Sequence, residues 1–156
     1  MTMQRVPYKL WKLIISGIVG STAQGLLMFL KKQFGILPQF QPFLEIQELF
    51  SKIANELASP VFVALASFIN GAFVLSYLFG KIYGRLPTDH GLIKGFIFGV
   101  FGWLLINLTL FPIVGYGAFV INLGLGALPS AFSFLMIQAY SLSLAFAYSK
   151  LIKQKP

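Results

Sequence analysis

From Gly91 to Pro112 the chain reads GLIKGFIFGVFGWLLINLTLFP, with Lys94 as its one charge. As a helix rising 1.5 Å per residue, this run covers roughly 30 Å, the hydrocarbon thickness of a bilayer. Stretches at about 10–30, 60–80 and 129–149 have the same character. Only 10% of the residues are charged and 57% are hydrophobic, whereas soluble domains carry about 25% charged residues. A water-soluble fold of 156 residues has too little interior to hide that much apolar surface. Lipid makes the composition tenable. The expected fold is an all-α membrane protein: a single integral membrane domain over 1–156, with four transmembrane helices and one interfacial amphipathic helix at about 42–58.

The basic start, MTMQRVPYKLWK, leads into an apolar run, as a cleaved signal peptide does. The run Leu10 to Leu30 exceeds the usual apolar core of such peptides, about 7–15 residues, and ends in Lys31-Lys32. A retained first span is predicted. Tyr8 and Trp11 stand where aromatic belts form, and Lys9 and Lys12 can reach headgroups. Gly17, Ser21 and Gly25 are spaced four apart and make a helix-packing face.

Residues 31–59 are the most polar part. Gly35 and Pro38 break the first helix, and Gln41-Pro42 starts another. Phe43, Ile46, Phe50, Ile53 and Leu57 follow at three- and four-residue steps. Glu45, Glu48, Lys52, Asn55 and Glu56 lie mainly on the other face. Helices that seek anionic lipid are usually rich in Lys and Arg. This one carries Glu, so it is expected to dock on the protein itself or on a partner.

Small residues also stripe the other spans. Span two carries Ala72, Ser76 and Gly80, with Ser67 and Gly71 as a second pair. Span three carries Gly91, Gly95 and Gly99, and span four carries Ser141, Ala145 and Ser149. Spans one and three, or three and a neighbour, are expected to cross closely at these glycines. Arg5, Lys9, Lys12, Lys81, Arg85, Lys94, Lys150, Lys153 and Lys155 share one side of a four-span arrangement. Lys31, Lys32 and Lys52 occupy the other, which places both termini in the cytoplasm. The formal net charge of +8 sits at the ends of apolar runs. It therefore reads as topology, and no nucleic-acid partner is expected.

The spans hold no Asp, Glu, Arg or His, and Lys94 lies one turn inside its end. Intramembrane ionisable groups mark proton relays and ion-coupled pumps, so a proton-coupled transporter is not expected. Each span has one amide: Gln24, Asn70, Asn107 and Gln138. Brought together, they form a candidate polar cluster for a solute. The plainer role is interhelical hydrogen bonding, worth about 0.6 kcal/mol each. The chain has no cysteine and one histidine, His90. His90 lies beside Asp89 in a basic turn and reads as a solvated interface residue. No catalytic constellation, metal set or cofactor site is expected.

Val114-Gly115-Tyr116-Gly117 matches the VGYG of a potassium selectivity filter. Ile113 stands in place of its threonine, and a full span rather than a short pore helix comes first. A glycine turn is the simpler reading. The uncharged segment 113–128 is expected to be a shallow re-entrant piece roofed by the amphipathic helix, or a loop covered by a partner. Tyr116, with Phe43, Ile46, Phe50 and Ile53, forms the candidate interaction surface.

Tyr83-Gly84-Arg85-Leu86-Pro87, the glycines at 91, 95 and 99, Trp103, Pro112 and Gly115 together resemble a group of small four-span bacterial membrane proteins. That group is a domain of unknown function similar to the YagU-like inner-membrane proteins, and the resemblance covers roughly 16–148. It implies fold and location, and no established activity. Its last span often has a histidine about where Gln138 stands here. The resemblance therefore implies no histidine-based role. The expected function is that of a non-catalytic accessory or structural subunit of a larger membrane assembly. The alternative is a small channel or carrier for a neutral or weakly polar solute. The expected partners are the lipid bilayer and a membrane protein or a second copy of the chain.

Overall fold

A computed structural model describes residues 10–54 and 59–153. Four long apolar helices run α1 (Leu10–Gln33), α3 (Val61–Tyr83), α4 (Gly91–Ile113) and α5 (Leu128–Lys153). Between α1 and α3 lies the shorter α2 (Pro42–Ala54). The spans begin within a residue of their expected positions and run up to about one turn longer. The expected end of the amphipathic helix, 55–58 with Leu57, lies outside the described residues. Phe43, Phe50 and Ile53 fall on α2, and their side chains lie outside what the structure describes. At the start of α3, the Phe62 backbone N–H donates to the Ser59 hydroxyl (3.1 Å), and Pro60 occupies the first turn. Both features satisfy the orphan donors of a helix start.

The four spans alternate in direction. At one end, Lys12 Nζ donates to the Leu151 carbonyl, tying the start of α1 to the end of α5. At the other end, the loop after α1 meets the loop after α4: Gln41 N–H donates to the Tyr116 hydroxyl (3.1 Å). Helix α5 packs between α1 and α4, and α3 lies against α1. As a result α5 is the most buried span and α4 the least.

Glycines set these contacts. A Cβ on Gly17 would stand 2.5 Å from the Ala72 carbonyl oxygen and 2.8 Å from Ser76 Cβ. One on Gly80 would meet Leu13. The small stripe of α3 is thus the face that lies on α1. Ser21 continues the contact against Gly71. Gly25 does not: a Cβ there meets nothing within 4 Å. Gly20, against the Tyr140 ring, extends the packing face instead.

The ladder on α4 meets the small stripe of α5 in antiparallel order. Gly91 faces Ser149, Gly95 faces Ala145 and Ser141, and Gly99 faces Gln138 and Ser141. The neighbour of span three at its glycines is therefore span four. Aromatic rings fill the end of the bundle near the chain termini. The Tyr83 and Tyr148 rings lie edge to face at 5.0 Å, and Phe79 joins Phe98 across α3 and α4 at 5.2 Å. Leu13 and Leu144, both fully buried, complete this cluster, with Phe98 partly buried at its edge.

Two spans contain a wider, π-type turn: Asn70–Leu75 in α3 and Ile106–Leu110 in α4. Such a turn admits one residue more than a regular helix and loosens the carbonyl ladder. The Gly71 carbonyl, inside the first π turn, accepts a hydrogen bond from the Tyr140 hydroxyl (2.6 Å). In the second, Asn107 Nδ2 donates to the Trp103 carbonyl (2.8 Å) and competes with the backbone for it.

Substituting Gly17 or Gly95 by Val drives side-chain atoms into a neighbouring backbone. Each change is expected to lower unfolding stability in detergent by about 1–3 kcal/mol. Gly102→Ala is the control: the nearest atom to its Cβ is 3.7 Å away, on Ile137. A denaturant titration that ranks Gly102→Ala with the other two would contradict this packing.

Candidate functional site

The four amides occupy different settings. Asn107 is fully buried. Its Nδ2 donates to Trp103 and its Oδ1 accepts from the Ser130 hydroxyl (3.2 Å). The indole N–H of Trp103 in turn donates to the Ser130 carbonyl and the Ser133 hydroxyl, each at 3.1 Å. Asn107 therefore sits in a closed network pinning α4 to the start of α5. Gln138 is also buried, and its Nε2 donates to the Phe96 carbonyl (3.3 Å). Its Oε1 is enclosed without a hydrogen bond.

Gln24 is half-buried and Asn70 exposed. Among the described residues, no hydrogen bond joins any of these amides to another. Asn70 is ten residues into the twenty-three of α3, near the middle of the span. Its neighbours Phe68, Ile69, Phe73 and Val74 are exposed as well. The stripe at 72, 76 and 80 turns toward α1, and this rotation carries Asn70 to the outer face.

Within segment 113–128, Ala118–Leu123 forms tight turns broken at Phe119 and Val120, both with positive φ (53° and 64°). Val120 is fully buried there. A β-branched residue in this region is strained and needs its surroundings to hold it. Val114–Gly117 is a turn: Gly115 and Gly117 take positive φ, and the Gly115 carbonyl accepts from Asn122 Nδ2 (3.0 Å). Tyr116 is 4% exposed, so it belongs to the interior rather than to an open interaction surface. The side chain over it is Phe40, fully buried, with ring centroids 5.7 Å from both Tyr116 and Phe111. The cover thus includes Phe40, two residues before α2, where no helical periodicity operates. Ile46 of α2 is half-buried.

Among the described residues, two lysines are buried in the protein. Lys94 Nζ donates to the Tyr83 carbonyl (2.7 Å) and lies 4.1 Å from the Tyr83 ring centroid. Its charge is met inside the bundle. Lys31, at the end of α1, is 6% exposed and lies 6.0 Å from the Phe40 ring centroid. It lines a groove of about 680 Å³ between α1, α2 and the start of α3. By sequence alone Lys31 reads as a charge flanking the first span. The signal for its burial was the break at Gly35 and Pro38, which folds the chain back over the helix end. His90 is exposed and heads α4 without a capping bond from its side chain.

These features define the class: a small multi-pass α-helical membrane protein whose core is sealed by side chains. The chain belongs to the family of unknown function DUF6789, whose model matches residues 9–156. No curated protein and no solved structure gives a match to it.

Asn107→Ala opens a satisfied network and is expected to cost about 1–2 kcal/mol. Gln138→Met removes an enclosed acceptor that has no partner, and is expected to stay within about 1 kcal/mol of the parent. Equal losses in a detergent unfolding titration would show that Gln138 is as well satisfied as Asn107.

Proposed function

We propose that this protein is a non-catalytic accessory or structural subunit of a larger membrane assembly, in a bacterial inner membrane with both termini in the cytoplasm. The observation that carries the reading is Asn70. An amide halfway along a span, on the outer face and without a side-chain hydrogen bond among the described residues, is poorly matched to hydrocarbon. A neighbouring transmembrane helix supplies the missing partner. The apolar residues around Asn70 suit such a contact. The non-catalytic part rests on composition: the chain's acidic residues are Glu45, Glu48, Asp89 and Glu56, and none lies in a span. Location and orientation rest on the nine-to-three distribution of Lys and Arg and on the resemblance to YagU-like proteins.

The carrier alternative drew on a shared amide cluster. Asn107 and Gln138 bond to other groups and Asn70 faces outward, so the subunit reading is better supported.

Solubilised from its native membrane in mild detergent, the protein is expected to come with a membrane partner or a second copy. Asn70→Leu should reduce that recovery several-fold while leaving the unfolding midpoint unchanged. Recovery of the parent only as a lone 17.3 kDa chain would reject the subunit role. A reporter fused to the C-terminus that is active outside the cytoplasm would reject the orientation.

A further inference from the structure

The groove beside Lys31 has a polar end and an apolar trench. At its polar end stand Lys31 and Lys32, with Gln41 on the opposite wall. The Lys31 side chain is more than nine-tenths buried, and among the described residues its ammonium has neither a hydrogen bond nor an ion pair. The ammonium, unlike Gln138 Oε1, is not sealed off: it reaches the groove, where an anion can meet a partly desolvated cation. The Phe40 ring face at 6.0 Å offers only a weak interaction at that distance. Among the described residues, no acidic side chain lines the groove, and Glu48 on α2 is exposed.

From Lys31 the trench descends along α1 past Met28 to Gly25, and along α3 past Val63 and Ala64. Lys31 to Gly25 is six residues, about 9 Å along a helix axis. Gly25 has nothing within 4 Å of a Cβ position, so the floor of the trench is open there. The site thus sets a cation at a helix end above an apolar channel reaching into the hydrocarbon depth. A free anion uses only the upper half, and an apolar solute only the lower.

We infer that this groove binds one anionic phospholipid, its phosphate at the ammonium groups of Lys31 and Lys32 and an acyl chain along Met28, Gly25 and Ala64. Charge-assisted bonds from Lys31 fix the headgroup. The helix-breaking turn at Gly35 and α2 form the outer wall. The open position at Gly25 leaves room for the chain. The site is separate from Asn70 and holds whether or not the protein is a subunit.

The full chain, delipidated in mild detergent, is titrated with phosphatidylglycerol and with phosphatidylcholine of the same acyl chains, and bound lipid is counted by native mass spectrometry. One phosphatidylglycerol per chain is expected, about tenfold tighter than phosphatidylcholine, the size of one charged contact. Lys31→Gln is expected to remove this preference, and Lys32→Gln to change it less. Gly25→Leu projects into the trench from a position whose Cβ meets no protein atom within 4 Å and is expected to weaken both lipids by about tenfold or more. Should Lys31→Gln fail to fold, Gly25→Leu decides: lost binding supports the site, and unchanged binding overturns it. Equal affinity for the two lipids also overturns the proposal. So does displacement by inorganic phosphate alone, which would mark a free-anion site.

Discussion

Close approach of helix backbones is the constraint on which the rest of this bundle depends. Lipid tails are as apolar as the side chains, so little hydrophobic drive brings the spans together. What remains is van der Waals contact over short distances, and it requires small residues where the axes cross. Gly17 against Ala72 and Gly95 against Ser141 supply it. Together these contacts place α3 on α1 and α4 on α5. With α5 between α1 and α4, the aromatic cluster of Tyr83, Tyr148 and Phe79 can close one end. The Phe40, Phe111 and Tyr116 cluster closes the other.

The polar groups divide according to this packing. Those the bundle encloses are largely met within it: Asn107 by Trp103 and Ser130, Lys94 by the Tyr83 carbonyl, and Tyr140 by Gly71. Exposed hydroxyls such as Thr22 and Thr109 bond back to their own helices, but two other groups have no such partner among the described residues. Asn70 faces outward at mid-depth, and Lys31 lines the groove between α1, α2 and the start of α3. The chemistry still available for recognition therefore lies on the outside of the bundle, toward lipid and neighbouring helices.

Much of the architecture was legible in the sequence because length and apolar content speak directly to a bilayer. The four spans, the break at Gly35 and Pro38, and the stripes at 72, 76, 80 and at 91, 95, 99 all follow from local pattern. Partner choice did not. Small-residue stripes are compatible with one another, and only the tertiary arrangement selects Ser141 and Ala145 over Gly17 as the match for Gly95. The outward turn of Asn70 depends on which stripe is buried, so its neighbours along the chain could not reveal it. Gly25 fits the spacing of a packing face yet stands beyond the crossing. Phe40 was silent because it lies between Pro38 and Pro42, where no periodicity operates. The site residues were thus visible as residues, and their roles came from packing.

The π turns carry a consequence for insertion and deletion. Removing one residue from a regular helix rotates everything beyond it by about 100° and moves each stripe to a new face. A π turn already holds one extra residue. Deleting a residue between 70 and 75, or between 106 and 110, restores regular winding and leaves both flanking faces in register. These are the two places in the spans where the chain can shorten by one without re-aiming the bundle. The Gly71 carbonyl would then return to its own helix, and the Tyr140 hydroxyl would lose its acceptor across the core.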